Sequence, residues 1–113
     1  DPTALYQPRV TSRTEVTVEN LLGLNPFTSV ASSAVITVLE PSHGRASSDT
    51  VRFRNVSSFD GFTSTILEKA AGYSITKVND DTYTFSASSG TATTGEVRGG
   101  GGRVTAGPVT LGT

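Results

Sequence analysis

The chain has 113 residues, is rich in threonine, serine, valine and glycine, and contains no cysteine, methionine or tryptophan. Without cysteine there is no disulfide framework, thiolate metal site or cysteine nucleophile. Nine basic residues against ten acidic ones give a net charge of −1, which argues against a nucleic-acid partner. Apolar runs are too short for a membrane span, so none is predicted.

The first residues of the chain differ from the rest. Residues 1–9 carry Pro2 and Pro8 and few core-forming side chains, so they are predicted to form an extended arm. Residues 10–113 are predicted to form a single β domain with one modest core. Excision of an initiator methionine requires a small second residue, so we expect that Asp1 is not the native start.

Three segments in the first half carry the main strand and loop signals. Apolar and polar residues alternate over residues 10–19, which predicts a half-buried strand. Glycine and an Asn-Pro pair then break the alternation and predict a loop over residues 21–27. Residues 33–39, SAVITVL, are apolar on both faces and β-branched, which is typical of a central strand.

The middle of the chain is predicted to be more varied. The polar segment 40–48 contains proline and glycine and is predicted to be a loop. Residues 49–56 alternate again and predict a third, half-buried strand. Residues 65–71 favour a short helical turn that ends at Gly72.

The strongest hairpin signal lies in the second half. Two β-rich runs, residues 73–78 and 82–87, are joined by Asn79-Asp80-Asp81. Asn and Asp tolerate left-handed backbone and bond to their own main chain, which suits a tight turn. We therefore predict that these two runs pair with each other.

The last segment is rich in glycine. Gly99–Gly102 predict a flexible or kinked connection to a final strand over residues 103–111, interrupted at Gly107-Pro108. About six short strands with frequent turns predict an all-β fold, either a small barrel or a sandwich. An extended N-terminal arm and a glycine-rich C-terminal loop complete the predicted architecture.

A possible catalytic group surrounds the only histidine. Ser42, His43 and Asp49 contain the residue types of a hydrolase triad, but geometry rather than sequence proximity defines such a triad. A histidine beside a glycine in a polar loop is more typical of a turn residue that bonds locally. One histidine and scattered carboxylates do not supply a metal site. We therefore predict no enzyme, no catalytic residue, no metal and no cofactor.

Two further motifs have simpler structural interpretations. Asp80 and Asp81 are neighbouring carboxylates, but turn chemistry accounts for both. Gly99–Gly102 lie between Arg98 and Arg103, as in an anion-binding loop, yet the lysine and following helix of a phosphate loop are missing. We favour a connection between strands for this segment.

Aromatic and basic residues raise two binding hypotheses. Arg52 and Arg54 flank Phe53, a pattern that in this net acidic chain favours a half-exposed strand over a nucleic-acid surface. Stacking of a sugar on exposed aromatic rings is the other hypothesis, although burial in the core is the simpler interpretation. The candidate rings are those of Tyr6, Phe59, Tyr73 and Tyr83.

Several motifs occur in an order that resembles a known group of β domains. They are NPF (25–27), SAVITV (33–38), SHG (42–44), DTVRFRNV (49–56), FDGF (59–62), GYSITKVNDDTYTF (72–85) and GEVRGGGGRVTAGP (95–108). From about Asn25 onward the chain resembles a β domain that recurs in tailed-bacteriophage structural proteins. Such domains are likened to the first-catalytic-cysteine-half β domain of ubiquitin-activating enzymes. The resemblance implies a small barrel without catalysis and assigns no binding residue.

The resemblance and the composition together lead to a functional prediction. We predict a non-enzymatic structural component of a phage virion, associated with the tail as a tail, fibre or adaptor module. It would act through packing against other virion proteins and copies of itself. The alternatives are a capsid decoration protein and a module that binds a carbohydrate or receptor on the host surface.

Overall fold

The computed structural model describes residues 17–110. The predicted arm, residues 1–9, lies outside this range, as do residues 10–16 of the predicted first strand. Within the range the chain forms nine short strands and one short helix. The strands are β1 (Thr17–Leu21), β2 (Phe27–Ser29), β3 (Val35–Leu39), β4 (Thr50–Arg54), β5 (Tyr73–Ser74), β6 (Thr76–Lys77), β7 (Thr82–Ser86), β8 (Arg98–Gly99) and β9 (Thr105–Thr110), and the helix is α1 (Ser64–Leu67).

The strands form two antiparallel sheets arranged like a sandwich. The first sheet has the order β1-β9-β4-β5 and the second has the order β6-β7-β3-β2-β8. The predicted all-β class is confirmed, and of the two predicted architectures the sandwich is the one formed. In the described part of the chain, no helix is long and apolar enough to cross a membrane.

The chain passes from one sheet to the other at Ile75. Residues 73–78 were predicted as one strand, but β5 belongs to the first sheet and β6 to the second, with Ile75 buried between them. The predicted hairpin is confirmed, since β6 pairs with β7. Its turn is held by Asn79, whose side-chain oxygen accepts hydrogen bonds from the backbone N–H groups of Asp81 and Thr82 at 2.8 and 2.9 Å.

Aromatic rings from both sheets meet in the core. Phe27 and Phe85 come from the second sheet, and Phe53 and Tyr73 come from the first. The ring centroid of Phe53 lies 5.1 Å from that of Phe27 and 5.1 Å from that of Phe85. The Tyr73 ring centroid lies 4.5 Å from that of Phe85, with the two ring planes tilted by 32°. Each such pair contributes about 0.5–1.5 kcal/mol beyond the area it buries.

The loop predicted over residues 21–27 is shorter in the structure, because Phe27 begins β2. This strand has only three residues, too few to show a repeating pattern in the sequence. Strand β2 pairs with the central strand β3, where Phe27 lies opposite Val38. The Phe27 ring is completely buried, and only this register directs it into the core. Strand β3, predicted as central, lies between β7 and β2 as expected.

The final strand is not interrupted at Gly107-Pro108, contrary to the prediction. Strand β9 continues through this pair, and Gly107 is paired with Arg52 of β4. The irregularity lies in the pairing with β1, where the register shifts between Val18 and Asn20. A bulge of this kind lets one strand carry extra residues without ending.

The predicted helical turn is present but covers residues 64–67 instead of 65–71, and it ends at its C-cap Glu68, before Gly72. Helix α1 starts at Ser64, and the side chain of Thr63 caps it by accepting a hydrogen bond from the backbone N–H of Ile66. Threonine is a favoured residue at this position because its oxygen satisfies a free helix N–H. Gly72 follows with a φ of +80°, a left-handed conformation that glycine adopts without strain.

Candidate functional site

A buried polar network occupies the space where the two sheets meet. Glu40, directly after β3, has only 1% of its surface exposed. Its Oε1 accepts hydrogen bonds from Arg45 Nε at 2.9 Å and from the Tyr83 hydroxyl at 2.6 Å. Its Oε2 accepts from Arg45 Nη2 at 3.1 Å and from Asn20 Nδ2 at 3.0 Å. Both oxygens therefore have two partners, as a buried carboxylate requires.

The network fastens the first sheet to the second. Arg45 Nη1 also donates to the carbonyl oxygen of Pro108 at 2.9 Å, so the guanidinium contacts β9 as well as Glu40. Asn20 belongs to β1 of the first sheet, whereas Tyr83 belongs to β7 of the second. The predicted loop over residues 40–48 thus contributes two buried charges rather than a fully solvated surface.

The pKa values in the network reflect this enclosure. Burial alone raises the pKa of Glu40, but the hydrogen bonds from Arg45, Tyr83 and Asn20 outweigh it, and the pKa lies below its usual value. Burial and the adjacent Glu40 carboxylate raise the pKa of Tyr83. Glu40 is therefore held as an anion and Tyr83 as a neutral hydrogen-bond donor.

His43 is bonded to the backbone through both ring nitrogens. Nδ1 accepts a hydrogen bond from the backbone N–H of Arg45 at 2.8 Å, and Nε2 lies 2.7 Å from the carbonyl oxygen of Asn79. A carbonyl can only accept, so these bonds require the proton on Nε2. The ring also packs edge-on against Tyr83 at 5.1 Å. His43 therefore acts as a turn residue that joins its loop to the β6–β7 hairpin.

The other two residues of the hypothetical triad bond elsewhere. The Asp49 carboxylate accepts from the backbone N–H of Ala46 at 2.8 Å and closes a local turn. The backbone N–H of Ser42 donates to the Asp81 carboxylate at 2.9 Å. In the described residues, His43 is hydrogen-bonded to neither Ser42 nor Asp49. The structure does not assemble a nucleophile, base and orienting acid from these positions.

The glycine-rich segment is a packed connection. The backbone N–H of Gly101 donates to Asn25 Oδ1 at 3.0 Å, and the Gly101 carbonyl oxygen accepts from the backbone N–H of Asn25 at 2.9 Å. The missing side chain of Gly99 leaves the space that the Phe59 ring occupies. Arg98 donates to the Leu24 carbonyl oxygen at 3.0 Å. The connection is therefore shorter than predicted, because Gly99 belongs to β8, and these bonds hold its remaining residues in place.

Asp60 organises a second set of loops. In the turn Asp60-Gly61 both residues have positive φ, +46° and +91°. The Asp60 carboxylate accepts hydrogen bonds from the Ser29 hydroxyl at 2.6 Å and from the backbone N–H groups of Thr94 and Gly95 at 2.8 and 2.9 Å. The bond from Ser29 and then the two backbone donors lower the pKa of Asp60. The FDGF motif is thus a structural clamp on residues 94–95.

One groove on the surface is lined by several cationic side chains. It lies between β4 and the segment that follows α1, and its volume is about 290 Å³. The lining residues are Arg52, Phe53, Arg54, Asn55, Glu68, Lys69 and Ala70. Phe53 is buried beneath the groove, whereas the charged side chains are half-buried or exposed. We call this feature the β4 groove.

Hydrogen bonds fix parts of its wall. Arg54 Nε donates to Glu19 Oε2 at 2.6 Å, and the Thr105 hydroxyl donates to Glu19 Oε1 at 2.7 Å. The bond from Thr105, with a smaller contribution from Arg54, lowers the pKa of Glu19. On the opposite wall, Glu68 Oε2 accepts a hydrogen bond from the backbone N–H of Val56 at 2.7 Å. The groove is therefore lined by one oriented carboxylate, Glu68, while Glu19 holds Arg54 from outside the lining.

The aromatic residues considered for sugar stacking are placed differently. Tyr73 and Tyr83 are buried. The Lys69 ammonium nitrogen lies over the Tyr73 ring, 5.2 Å from its centroid. Phe59 packs against the core and Tyr6 lies outside the described residues. Neither buried tyrosine can present a ring face to a sugar.

Neither the buried network nor the β4 groove is evident from the sequence. Arg52 and Arg54 were interpreted as a half-exposed strand, which is correct, but Lys69 and Glu68 come from a distant segment. The spacing of Arg52 and Arg54, two positions apart and therefore on one face of β4, was the only local sequence signal for a cationic surface. For metals, no group of three or more His, Asp or Glu side chains suitable for an ion is found among residues 17–110.

Comparison with known proteins gives a likeness of fold. No family model matches the chain, and no curated protein sequence matches it. Among solved structures it is similar to a phage phi92 endosialidase, with a TM-score of 0.56 and 19% sequence identity. The match covers 84% of this chain but 13% of that chain. The predicted likeness to ubiquitin-activating enzymes is not tested by these findings and stays a prediction.

Proposed function

We propose that this chain is a non-catalytic structural module of a phage virion, associated with the tail. The observation that carries the proposal is the fold likeness to part of a phage endosialidase, which agrees with the order of motifs in the sequence. The chain spans a small part of that protein, so the likeness favours one domain of a larger assembly over a complete enzyme.

The internal hydrogen bonds support a role as a rigid packing unit. Glu40 and Asp60, two acidic side chains that join separate segments, are satisfied by groups within the domain. His43 is likewise used to join two loops. A domain whose loops are tied down in this way presents fixed surfaces to its neighbours, which suits symmetric subunit packing.

Mass spectrometry and electron microscopy of particles test the proposal. Virions would be purified from the phage whose genome encodes the chain, and antibody against residues 17–110 would be located by immunogold labelling. We expect peptides of this chain in purified virions and label on the tail. Absence of the chain from purified virions would refute a structural role, and label on the head would favour a capsid decoration protein.

A further inference from the structure

We propose that the β4 groove binds a single carboxylated sugar residue. The groove lies on the outer side of β4, where Arg52 and Arg54 point to the same face because side chains two positions apart on a strand share a face. Lys69 reaches the groove from the segment after α1. Three cations from two separate segments therefore converge on one concave surface.

The charge balance of the groove favours a single carboxylate over a strongly charged anion. Arg54 is paired with Glu19, and the Glu68 carboxylate lies on the same wall as Lys69. The three cations and two carboxylates leave a surplus of one positive charge. A ligand group with one negative charge matches this surplus, whereas a phosphate dianion would leave one negative charge uncompensated beside Glu68.

The positions of Arg52 and Lys69 suit them to hold the carboxylate. Arg52 is half-buried on β4, and the main chain at Gly72 packs against its aliphatic stem. The Lys69 ammonium group is supported by the Tyr73 ring at 5.2 Å, a cation–π contact that limits its motion. A planar guanidinium and a second donor together provide the charge-assisted bonds that carboxylates accept.

Size and polarity favour a sugar over a peptide. A volume of 290 Å³ lies just below the range of about 300–1,000 Å³ that is typical of ligand pockets, and it suits one sugar residue better than a peptide segment. Asn55 and Glu68 offer an amide and a carboxylate to hydroxyl groups. The one aromatic side chain of the lining, Phe53, is only 1% exposed and gives no apolar anchor.

Titration of the isotope-labelled 113-residue chain, followed by NMR of its backbone amides, tests this site directly. The probes are D-glucuronate, D-galacturonate and N-acetylneuraminate, with D-glucose and D-galactose as neutral counterparts of the first two. We expect at least one acidic sugar to shift the amide signals of residues 52–55 and 68–70, and the neutral sugars to leave them unchanged. Added salt should weaken the binding because it screens the charges.

Two substitutions and a matched control identify the side chains involved. Arg52→Gln and Lys69→Gln should each weaken binding about tenfold, since each removes a charge-assisted hydrogen bond. Lys77→Gln removes the same charge from β6 in the other sheet, outside the groove lining, and should leave binding unchanged. If a groove variant fails to fold, the signal mapping on the unmodified chain still decides the question.

Several results would overturn the proposal. Absence of shifts with all three acidic sugars, or shifts confined to other residues, would show that the groove is not the site. Equal or tighter binding of inorganic phosphate would indicate a general anion site. Tighter binding of an acidic tetrapeptide would indicate a protein partner. The packing role proposed above is tested on virions, so either proposal can fail without the other.

Discussion

The Glu40–Arg45 pair and the Glu19–Arg54 pair join the same two functional groups at similar distances, 2.9 and 2.6 Å. Their surroundings are opposite. The side chains of Glu40 and Arg45 are 1% and 7% exposed, whereas those of Glu19 and Arg54 are 30% and 51% exposed. The first pair lies between the sheets, and the second lies beside the β4 groove.

The difference separates a closed, buried ion pair from one that solvent reaches. In the buried network every oxygen of Glu40 is already bonded, so no ligand can enter without breaking those bonds. Removing one partner there leaves an uncompensated charge away from water, which is costly. The exposed pair gains little from its attraction because water and salt screen it. Separating Glu19 from Arg54 therefore costs little free energy.

The largest effect is expected for Arg45→Ala. This substitution leaves Glu40 buried without its cationic partner and should lower the free energy of unfolding by about 3–5 kcal/mol. Urea denaturation followed by circular dichroism measures the change. The exposed counterpart Arg54→Ala is the control, with an expected loss below about 1 kcal/mol. Equal losses in the two variants would show that burial does not distinguish the pairs.

Tyr83→Phe should have the next largest effect. It removes the hydroxyl that donates to Glu40 Oε1 at 2.6 Å and should cost about 1.5–3 kcal/mol, as for hydrogen bonds to charged groups. Tyr73→Phe is the neutral counterpart, because the Tyr73 hydroxyl bonds uncharged groups, namely the carbonyl oxygen of Ile66 and the hydroxyl and backbone N–H of Ser88. That variant should lose about 1 kcal/mol. A loss of about 1 kcal/mol or less for Tyr83→Phe, as expected for a bond to a neutral acceptor, would contradict an ionised Glu40.

Acid should lower the free energy of unfolding by a smaller amount, because protonated Glu40 keeps its packing and some of its hydrogen bonds. The pKa of Glu40 is lowered from 4.5, so its contribution is present above that pH. The contribution is lost as pH falls through the lower folded-state pKa. Urea midpoints between pH 7 and pH 3 should therefore decline below about pH 4.5. Glu40→Gln should show a shallower decline, and an unchanged profile in that variant would contradict this origin.

The smallest effect is expected for the coupling between Glu19 and Arg54. A double-mutant cycle with Glu19→Gln and Arg54→Gln should give a coupling energy below about 1 kcal/mol. The coupling should shrink further in added salt because both groups reach solvent. A coupling energy of several kcal/mol that does not change with salt would show that the Glu19–Arg54 pair behaves like the buried Glu40–Arg45 pair. Thermal or urea unfolding of the four proteins provides the measurement.

Local patterns in the sequence predicted much of the strand content. Alternation over residues 49–56 and the Asn79-Asp80-Asp81 turn correspond to β4 and to the β6–β7 hairpin. The interpretation of His43 as a locally bonded turn residue agrees with its two backbone partners. Strand β2 was missed because three residues carry no period, and its pairing depends on β3 and β8.

The all-β class, the central strand and the main hairpin could be predicted from the sequence, because neighbouring residues alone set those preferences. The burial of Glu40 and the groove that Arg52 shares with Lys69 could not be predicted in this way. Both depend on segments far apart in the chain that the two sheets bring together: Tyr83 reaches Glu40 from 43 positions away. The free energy of burying or exposing a charge depends on such distant partners, so the same residue types form a closed network in one place and an open groove in another.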